Sequence, residues 1–429
     1  MIEPNGQGGI CHYTYCLANE LRTQNFAITL ATAEPYELAC ASPSFGVVTP
    51  FQLSMERRAV QWVLRRAHRR PTLAAEPVAP AQLTKRSMNA SAQLETRSVG
   101  GVAGRGSRWL ARREYSGAWR RAIQFAQQQR FEISHIQWVR DPVRDVQYVR
   151  SLRDRGIRVV MTAHNVLPHD ASKNAQNEWA TLYQAADAVI VHYSRAADQL
   201  ADMGIEQPRI AVIPHGNYLP IRALTKSHAD DPQAARRAAR DLLDLPQDSP
   251  VVLFFGLIRP YKGLDYLLDA VAALRGVLPN VRLLLAGRAP DGLSPFMDRI
   301  RALGDAVQLI PRYLPLREAS VCFEACDVVA LPYTEASQSG VLHLAYAHSR
   351  PVVATTVGGV PEAVRDGVTG YLVPPRDATA LFEALRSVLC DPELCMRLGG
   401  EGWRMAHEHF SWDRIAMETG RMYERVATQ

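Results

Sequence analysis

The chain has 429 residues, which is long enough for two domains with separate hydrophobic cores. Hydrophobic residues make up 47% of it and charged residues 21%, a balance that excludes a largely disordered chain. The formal net charge of +6 favours anionic partners. Seven cysteines lack the spacing of a zinc site, so we expect reduced thiols and no bound metal. We find no run of about 18 apolar residues and no secretory leader, and we expect a cytoplasmic protein.

The first half of the chain alternates short apolar strands with helices. A glycine-containing turn, residues 4–9, separates a first strand from a helix that starts near Ile10. Residues 1–3 are few for a strand, and we expect the native chain to begin upstream. The strands are predicted at residues 1–3, 26–33, 133–138, 158–163, 185–191 and 210–213.

Residues 51–121 interrupt this alternation with a basic insertion. It holds 15 Lys and Arg residues against 4 Glu, a balance of +11. We predict a mobile centre over residues 71–107 and basic amphipathic helices on both flanks, which carry Phe51, Trp62 and Trp119. Such flanks suit an anionic lipid surface, and we expect contact with the inner face of the cytoplasmic membrane. A solvated basic loop without a partner is the alternative.

The second half alternates in the same way after a polar stretch, residues 223–249, that we predict to be a linker with a first helix. Strands are predicted at residues 251–255, 281–286, 307–310, 328–331, 352–355 and 370–373. Two alternating series predict an α/β protein with two facing, doubly wound, Rossmann-like domains. Ligands of such domains bind at the carboxyl ends of the strands, which here border the cleft.

The segment from Pro332 to Val341 is the most informative one. It combines a strand end, a turn of small residues and a helix start, which aims free N–H groups at one point where a phosphate binds well. Arg259 and Lys262 follow another strand end and could clamp a diphosphate from the opposite side. The alternative for these two cations is that they are solvated loop charges.

These segments belong to an ordered series that resembles the retaining glycosyltransferases of family 4, which have the two-domain fold called GT-B. The resemblance extends from about residue 6 to residue 375 and omits only the basic insertion. The matching segments are Gly8-Gly9-Ile10, Thr162-Ala163-His164-Asn165, Val212-Ile213-Pro214-His215-Gly216, Gly256 to Gly263, Leu284-Leu285-Ala286-Gly287, Ala330-Leu331-Pro332-Tyr333, Arg350-Pro351-Val352-Val353-Ala354, Gly358-Gly359-Val360-Pro361-Glu362 and Asp366-Gly367-Val368-Thr369-Gly370.

The resemblance implies a domain organisation. Residues 1–222 would form the acceptor-side domain, residues 223–249 a linker, and residues 250–405 the domain that binds the nucleotide-diphosphate sugar. Residues 406–429 would form a helix that crosses back to the first domain.

The resemblance also implies roles for single residues. Lys262, and less surely Arg259, would neutralise the leaving diphosphate, and His164 would lie beside the donor sugar. The alternative for His164 is a strand-end histidine bonded to backbone, whereas His215 is more simply hinge structure. The N–H groups of Ser339, Gly340 and Val341, together with Gly8 and Gly9, would hold the phosphates, and Glu335, Gln338 and Tyr313 are weaker candidates for the sugar and nucleotide.

The implied reaction moves a sugar to a hydroxyl acceptor with retention, without a required metal or other cofactor. We expect a lipid-linked glycan as acceptor, in surface polysaccharide or glycolipid synthesis, and no nucleic-acid partner. The alternatives are a sugar epimerase or phosphorylase of the same fold, or a nucleotide-sugar-binding protein with altered activity.

Two departures from the family pattern bear on these roles. Members often carry two glutamates eight residues apart, which would fall here at Ala336 and Leu344, while Glu335 stands one place early. The family's arginine after the strand-end glycine is Leu257. We therefore expect backbone N–H groups and cations, rather than Glu335, to dominate donor binding.

Overall fold

The computed structural model describes residues 1–34, 36–41, 43–52, 105–168, 175–225 and 231–429. The centre of the basic insertion, including its predicted mobile part up to residue 104, lies outside the described residues. The first domain contains helices α1 to α6, at Gly9–Thr23, Arg105–Gln128, Pro142–Arg153, Ala175–Ala185, Ser194–Asp202 and Leu219–Thr225. Its strands β1 to β7 are Ile2–Glu3, Thr29–Glu34, Gly46–Gln52, Ile133–Ile136, Arg158–Thr162, Ala188–Val191 and Ile210–Val212.

The second domain begins with helix α7 at Pro232–Leu242. Its strands β8 to β13 are Val251–Phe255, Arg282–Ala286, Val307–Ile310, Val328–Leu331, Val352–Thr355 and Gly370–Val373. Its helices α8 to α14 are Leu264–Leu274, Met297–Leu303, Leu316–Ala325, Gly340–Ala347, Val360–Ala363, Ala378–Leu389 and Pro392–Glu408. Helix α15, Trp412–Ala427, ends the chain.

Each domain is built on one parallel sheet. The first sheet has seven strands in the order β3-β2-β1-β4-β5-β6-β7, and the second has six in the order β10-β9-β8-β11-β12-β13. Helices cover both faces, so central strands such as β8 read as continuous apolar runs with fully buried side chains. All carboxyl ends within a sheet point to one edge, where the candidate site residues follow the strands.

Strand β3 was not predicted from the sequence, and it corrects the expectation for one flank of the insertion. Phe51, predicted to lie in a basic amphipathic helix, belongs to this strand. Pro50 cannot donate a ladder hydrogen bond, which is tolerated here because β3 is the edge strand of its sheet.

The other flank forms helix α2, but its tryptophan does not face a lipid surface. Trp119 is fully buried, stacks on Tyr148 with ring centroids 5.1 Å apart, and contacts the edge of Phe51 at 5.7 Å. The interpretation of Trp119 as a membrane-facing residue is therefore wrong. None of the described helices combines the length and the apolarity that a bilayer crossing requires.

The stretch predicted as a linker also contributes to a domain core. Ala239 and Leu243 of this stretch pack in the second domain's hydrophobic core. Arg240 between them is fully buried and pairs with Asp327 at 2.8 Å. Residues 231–249 are thus an integral part of the second domain.

The last helix, α15, packs against α1 of the first domain. Tyr423 hydrogen-bonds the ring of His135 at 2.6 Å, and Gln24 donates to the carbonyl of Asp413 at 3.1 Å. At the start of the helix, the Trp412 ring covers Gly216 so closely that an added Cβ would lie 2.2 Å from it.

Candidate functional site between the two domains

The turn after β11 leads into helix α11 with a capped N-terminus. Ser339 is the N-cap residue, and its hydroxyl accepts from the N–H of Leu342 at 3.4 Å. The same hydroxyl bonds the phenol of Tyr333 at 3.1 Å. Gly340 and Val341 occupy the first turn of the helix, where N–H groups have no intrahelical acceptor. The turn therefore presents free N–H donors, as the sequence predicted.

Lys262 lies against this turn. Its ammonium group is 3.7 Å from the centre of the Tyr333 ring and 5.3 Å from that of Tyr261. Burial lowers the pKa of Lys262 from its ordinary value of 10.5 to about 8. Because the phenol of Tyr333 bonds Ser339, this one tyrosine joins the predicted cation to the predicted phosphate-binding turn.

A cleft of about 1210 Å³ opens between the domains. Arg259 and Glu335 from the second domain line it, opposite Asn165, Trp138 and Arg140 from the first. Of the predicted site residues within the described ranges, Arg259 and Glu335 alone line this cleft. Of the remaining candidates, His164 and Ser339 are buried, whereas Gly9 and Tyr313 are exposed.

The N–H group of Gly8 is bonded to a side chain in this structure, and its contact with a phosphate stays a prediction. Its backbone is in the left-handed region, with φ of 82°, and its N–H donates to the carboxylate of Glu37 at 2.9 Å. The same carboxylate contacts His12 at 3.1 Å and accepts from the hydroxyl of Tyr313 at 3.0 Å. Burial would raise the pKa of Glu37, but these hydrogen bonds outweigh it and lower that pKa. Tyr313, predicted near the nucleotide, thus binds a carboxylate of the first domain.

Gly9 and Gly340 approach one another across Tyr218. The Tyr218 hydroxyl donates to the carbonyl of Gly9 at 3.1 Å, and Tyr218 is almost completely buried. A Cβ added at Gly9 would lie 3.3 Å from this hydroxyl, and one at Gly340 would lie 3.1 Å from it. The predicted meeting of the two glycine turns is present, but the phenol of Tyr218 fills the space between them.

His164 follows β5 and is buried beside Tyr13, with ring centroids 4.9 Å apart. Its Nδ1 atom is 3.0 Å from Nε2 of His192, whose Nδ1 atom bonds the carbonyl of Ile213 at 2.9 Å. Burial lowers the pKa of His192 to about 4 and that of His164 well below its ordinary value. The alternative, a direct bond from His164 to backbone, is wrong because the partner is another histidine.

His215 and His343 extend this group across the domain interface. Their rings stack 4.8 Å apart, and Nδ1 of His215 contacts the carbonyl of Gly216 at 2.7 Å. Both residues, with Gln338 and Ser339, line a small cavity of about 80 Å³. Gln338 therefore lines this cavity beside Ser339, and its role at the donor sugar stays a prediction. Among the described residues, no group of three or more His, Cys, Asp or Glu side chains is arranged to hold a metal ion.

Sequence reasoning missed Glu37, Tyr218 and His192. Glu37 has no spacing relation to the glycine turn whose N–H group donates to it, and its position shortly after strand β2 is the one signal that marked it. Tyr218 and His192 both follow strands that were predicted. Residues that follow parallel strands lie at the ligand-binding edge of the sheet, and this position is the one signal that could have indicated them.

Comparison with known proteins identifies the two halves of the chain. Residues 249–391 match the family described as Glycosyl transferases group 1, and residues 86–217 match Glycosyltransferase Family 4. The chain belongs to glycosyltransferase family 4. The two matched regions together cover more than half of the chain.

Relatives of this family 4 protein are named D-inositol 3-phosphate glycosyltransferase. The protein from Streptomyces avermitilis is 36% identical over 253 residues, which cover 56% of this chain and 52% of the relative. The protein from Mycobacterium avium is 34% identical over 249 residues, covering 56% and 55% respectively. The chain thus spans about half the length of the curated relatives it matches.

Solved structures show that the whole chain has the GT-B fold. Anabaena Alr3699/HepE in complex with UDP and glucose aligns with a TM-score of 0.70 at 16% identity, over 99% of this chain and 98% of that one. Sucrose-phosphate synthase from Thermosynechococcus elongatus aligns with a TM-score of 0.67 at 20% identity, over 100% and 98%.

Proposed function

We propose that this family 4 protein transfers a sugar from a nucleotide-diphosphate sugar to a hydroxyl group, with retention of anomeric configuration. The observation that carries the proposal is the contact of Lys262 with the Tyr333–Ser339 pair, at the N-terminus of α11. A cation near the N-terminus of a helix supports this proposal, because both favour the negative charge of a leaving diphosphate.

In the proposed mechanism the diphosphate departs first, and one of its oxygens helps to deprotonate the acceptor hydroxyl on the same face. Lys262 and the N–H groups of Ser339, Gly340 and Val341 stabilise the negative charge that develops. Arg259, at the wall of the cleft, contributes a second positive charge. This scheme requires no metal ion.

The donor is proposed from the neighbours of the same fold. Alr3699/HepE structures hold UDP or UDP-glucose, which makes UDP-sugars the first donors to test. Glu335 lines the cleft and could accept hydroxyl hydrogens of the sugar. Tyr313, which bonds Glu37 in this structure, is proposed to contact the donor's base after that bond breaks.

The acceptor is proposed to bind in the large cleft on the first-domain side. Trp138 and Trp179 line that wall and offer aromatic faces to a sugar or inositol ring. A lipid-linked glycan at the inner face of the cytoplasmic membrane, in polysaccharide or glycolipid synthesis, is one candidate. The names of the relatives support inositol 3-phosphate as the other.

The test incubates the full chain with a panel of UDP-, GDP- and ADP-sugars and both acceptor classes, with and without EDTA. We expect release of nucleoside diphosphate and an α-linked product from an α-configured donor, unchanged by EDTA. A sugar phosphate or an epimerised donor would establish the phosphorylase or epimerase alternative instead. Arg386→Ala, at an exposed ion pair with Glu383, serves as the control for Lys262→Ala.

Membrane contact through residues 51–121 is tested by flotation with anionic vesicles. Replacing Arg57, Arg58, Arg65, Arg66, Arg69 and Arg70 by Gln removes six charges without touching Trp119 of the core. We expect the variant to float less than the native chain. Equal flotation would reject the membrane contact and leave the sugar transfer untouched.

A further inference from the structure

His164, His192 and Ile213, which follow strands β5, β6 and β7, are joined by two hydrogen bonds. We call this hydrogen-bonded group the relay. The carbonyl oxygen of Ile213 lies 2.9 Å from Nδ1 of His192, and Nε2 of His192 lies 3.0 Å from Nδ1 of His164. All three sit in the buried region beside Tyr13, away from bulk water.

The relay permits one arrangement of hydrogens. A carbonyl oxygen only accepts, so Nδ1 of His192 must carry its hydrogen. Burial lowers the pKa of His192 to about 4, so its ring is neutral near pH 7 and its Nε2 has no hydrogen. His164 must then donate from its Nδ1, and because its pKa is also lowered, its Nε2 atom is a bare acceptor.

This bare nitrogen is left without a partner. Nε2 of His164 is buried and forms no hydrogen bond with any described residue. A buried acceptor without a donor is costly, and a donor from a ligand or a water that reaches it removes this cost. Asn165, the next residue, lines the large cleft, which places the relay at the border of the proposed sugar site.

We propose that His192 is a positioning residue for His164, which the family resemblance places beside the donor sugar. His192 holds His164 in the Nδ1–H tautomer, so that Nε2 of His164 is the atom that accepts a hydrogen bond from a hydroxyl of that sugar. This inference rests on the proposed function for the identity of the ligand. The relay itself rests on the structure alone. His192 touches no substrate and acts through His164.

The tautomer is measured directly by ¹⁵N NMR of the full chain with labelled histidine. We expect the His164 ring to carry its hydrogen on Nδ1 and to show an unprotonated Nε2. His192→Leu removes the acceptor and should move His164 toward the Nε2–H form, which free imidazole favours. Protonated Nε2 in the native protein would overturn the relay whether or not sugar transfer is observed.

The ligand is tested by adding UDP-glucose or UDP to the labelled protein. UDP-glucose should shift the Nε2 signal of His164, whereas UDP alone should not. Equal shifts with both would overturn the assignment to a sugar hydroxyl and point to a bound water. A protein that binds neither would contradict the proposed function, and the tautomer measurement would still stand.

Kinetics provide a third, independent comparison. His192→Leu should lower kcat/KM about tenfold, the value of one hydrogen bond, mainly through kcat. His192→Gln should recover part of the loss because its amide oxygen can accept from His164. His348→Gln, at a buried histidine that stacks on Phe323, is the control for losing a buried ring.

The last test uses UDP-glucose donors that each lack one hydroxyl of the glucose. Combining the loss of a hydroxyl with the loss of His192 gives a double-mutant cycle. In the native protein, one deoxy donor should react about tenfold more slowly, and in His192→Leu the same donor should show no further loss. If the missing hydroxyl slows His192→Leu by the same factor as the native protein, the two changes act independently, and the proposal is overturned.

Discussion

Tyr313 of the second domain donates its hydroxyl hydrogen to the carboxylate of Glu37 in the first domain, at 3.0 Å from either carboxylate oxygen. The carboxylate also accepts from the N–H of Gly8, the N-cap residue of α1. A negative charge at a helix N-terminus is favourable, so Glu37 occupies the position proposed for a phosphate of the donor. The donor must therefore displace Glu37 or bind beside its charge.

Glu37→Gln is expected to strengthen donor binding. The substitution removes the charge that competes with the diphosphate at the N-terminus of α1, an effect of about 1 kcal/mol or about fivefold in the dissociation constant. Calorimetric titration with UDP-glucose measures it. Tyr313→Phe, which breaks the bond between the domains but keeps the charge, should give a smaller gain. Weaker binding by Glu37→Gln would show that the carboxylate supports the donor.

The fold was largely predictable because its strands are buried on both faces. The strands at 251–255, 307–310, 328–331, 352–355 and 370–373 were predicted with the observed bounds. Strand β3 was not predicted because it lies at an edge of the sheet and includes Pro50, so its sequence lacks an apolar run.

Site residues could be predicted only where they come shortly after a strand in the sequence. Lys262 and Ser339 both contact Tyr333, because parallel strands bring their carboxyl ends to one edge. The bonds of Glu37 to Gly8 and of Tyr218 to Gly9 depend on contacts between segments far apart in the chain. No local periodicity reports such contacts, which is why the occupied glycine turns were not foreseen.

Lys262→Ala should reduce turnover more than donor binding. If the ammonium group stabilises charge that develops on the leaving diphosphate, its loss costs about 2–4 kcal/mol of transition-state stabilisation. Steady-state kinetics with saturating donor would show the loss in kcat. Arg386→Ala should leave kcat unchanged, and near-native turnover of Lys262→Ala would remove the lysine from the mechanism.

The pH profile should also report Lys262. Its pKa is lowered to about 8 by burial, so the free enzyme carries the required charge below pH 8 and loses it as the pH rises through 8. We expect kcat/KM to fall above about pH 8. A bound diphosphate favours the ammonium form, so the fall in kcat should occur at higher pH.

The matched variant for this profile is Lys262→Arg. A guanidinium group remains charged throughout the alkaline range, so the variant should lose the fall in kcat/KM even if its overall rate is lower. An unchanged alkaline fall in Lys262→Arg would assign the titration to another group.

Gly263→Ala should destabilise the second domain and displace Lys262. Gly263 has φ of 67°, and an added Cβ would lie 1.8 Å from the carbonyl oxygen of Pro332. Gly292→Ala is the control, because Gly292 has φ of 81° with no atom within 4 Å of the added Cβ. The control should cost about 1–2 kcal/mol from backbone strain alone, and Gly263→Ala about 1–3 kcal/mol more from the clash. Equal free energies of unfolding, from urea titration, would contradict the close approach.

Arg240 should be the costliest arginine to remove among those in ion pairs of α7. It is fully buried, donates to Asp327 at 2.8 Å, and donates to the carbonyls of Ala325 at 3.0 Å and Ser249 at 2.8 Å. Arg240→Ala leaves the carbonyls of Ala325 and Ser249 without this donor, while Asp327 keeps its bonds to Arg236 and to the N–H of Val251. The substitution should lower the free energy of unfolding by about 2–4 kcal/mol. Arg237→Ala, which breaks only an exposed pair, should cost less than about 1 kcal/mol. Urea unfolding of the two variants measures this difference. Similar urea midpoints for Arg240→Ala and Arg237→Ala would mean that the buried contacts of Arg240 contribute no net stability.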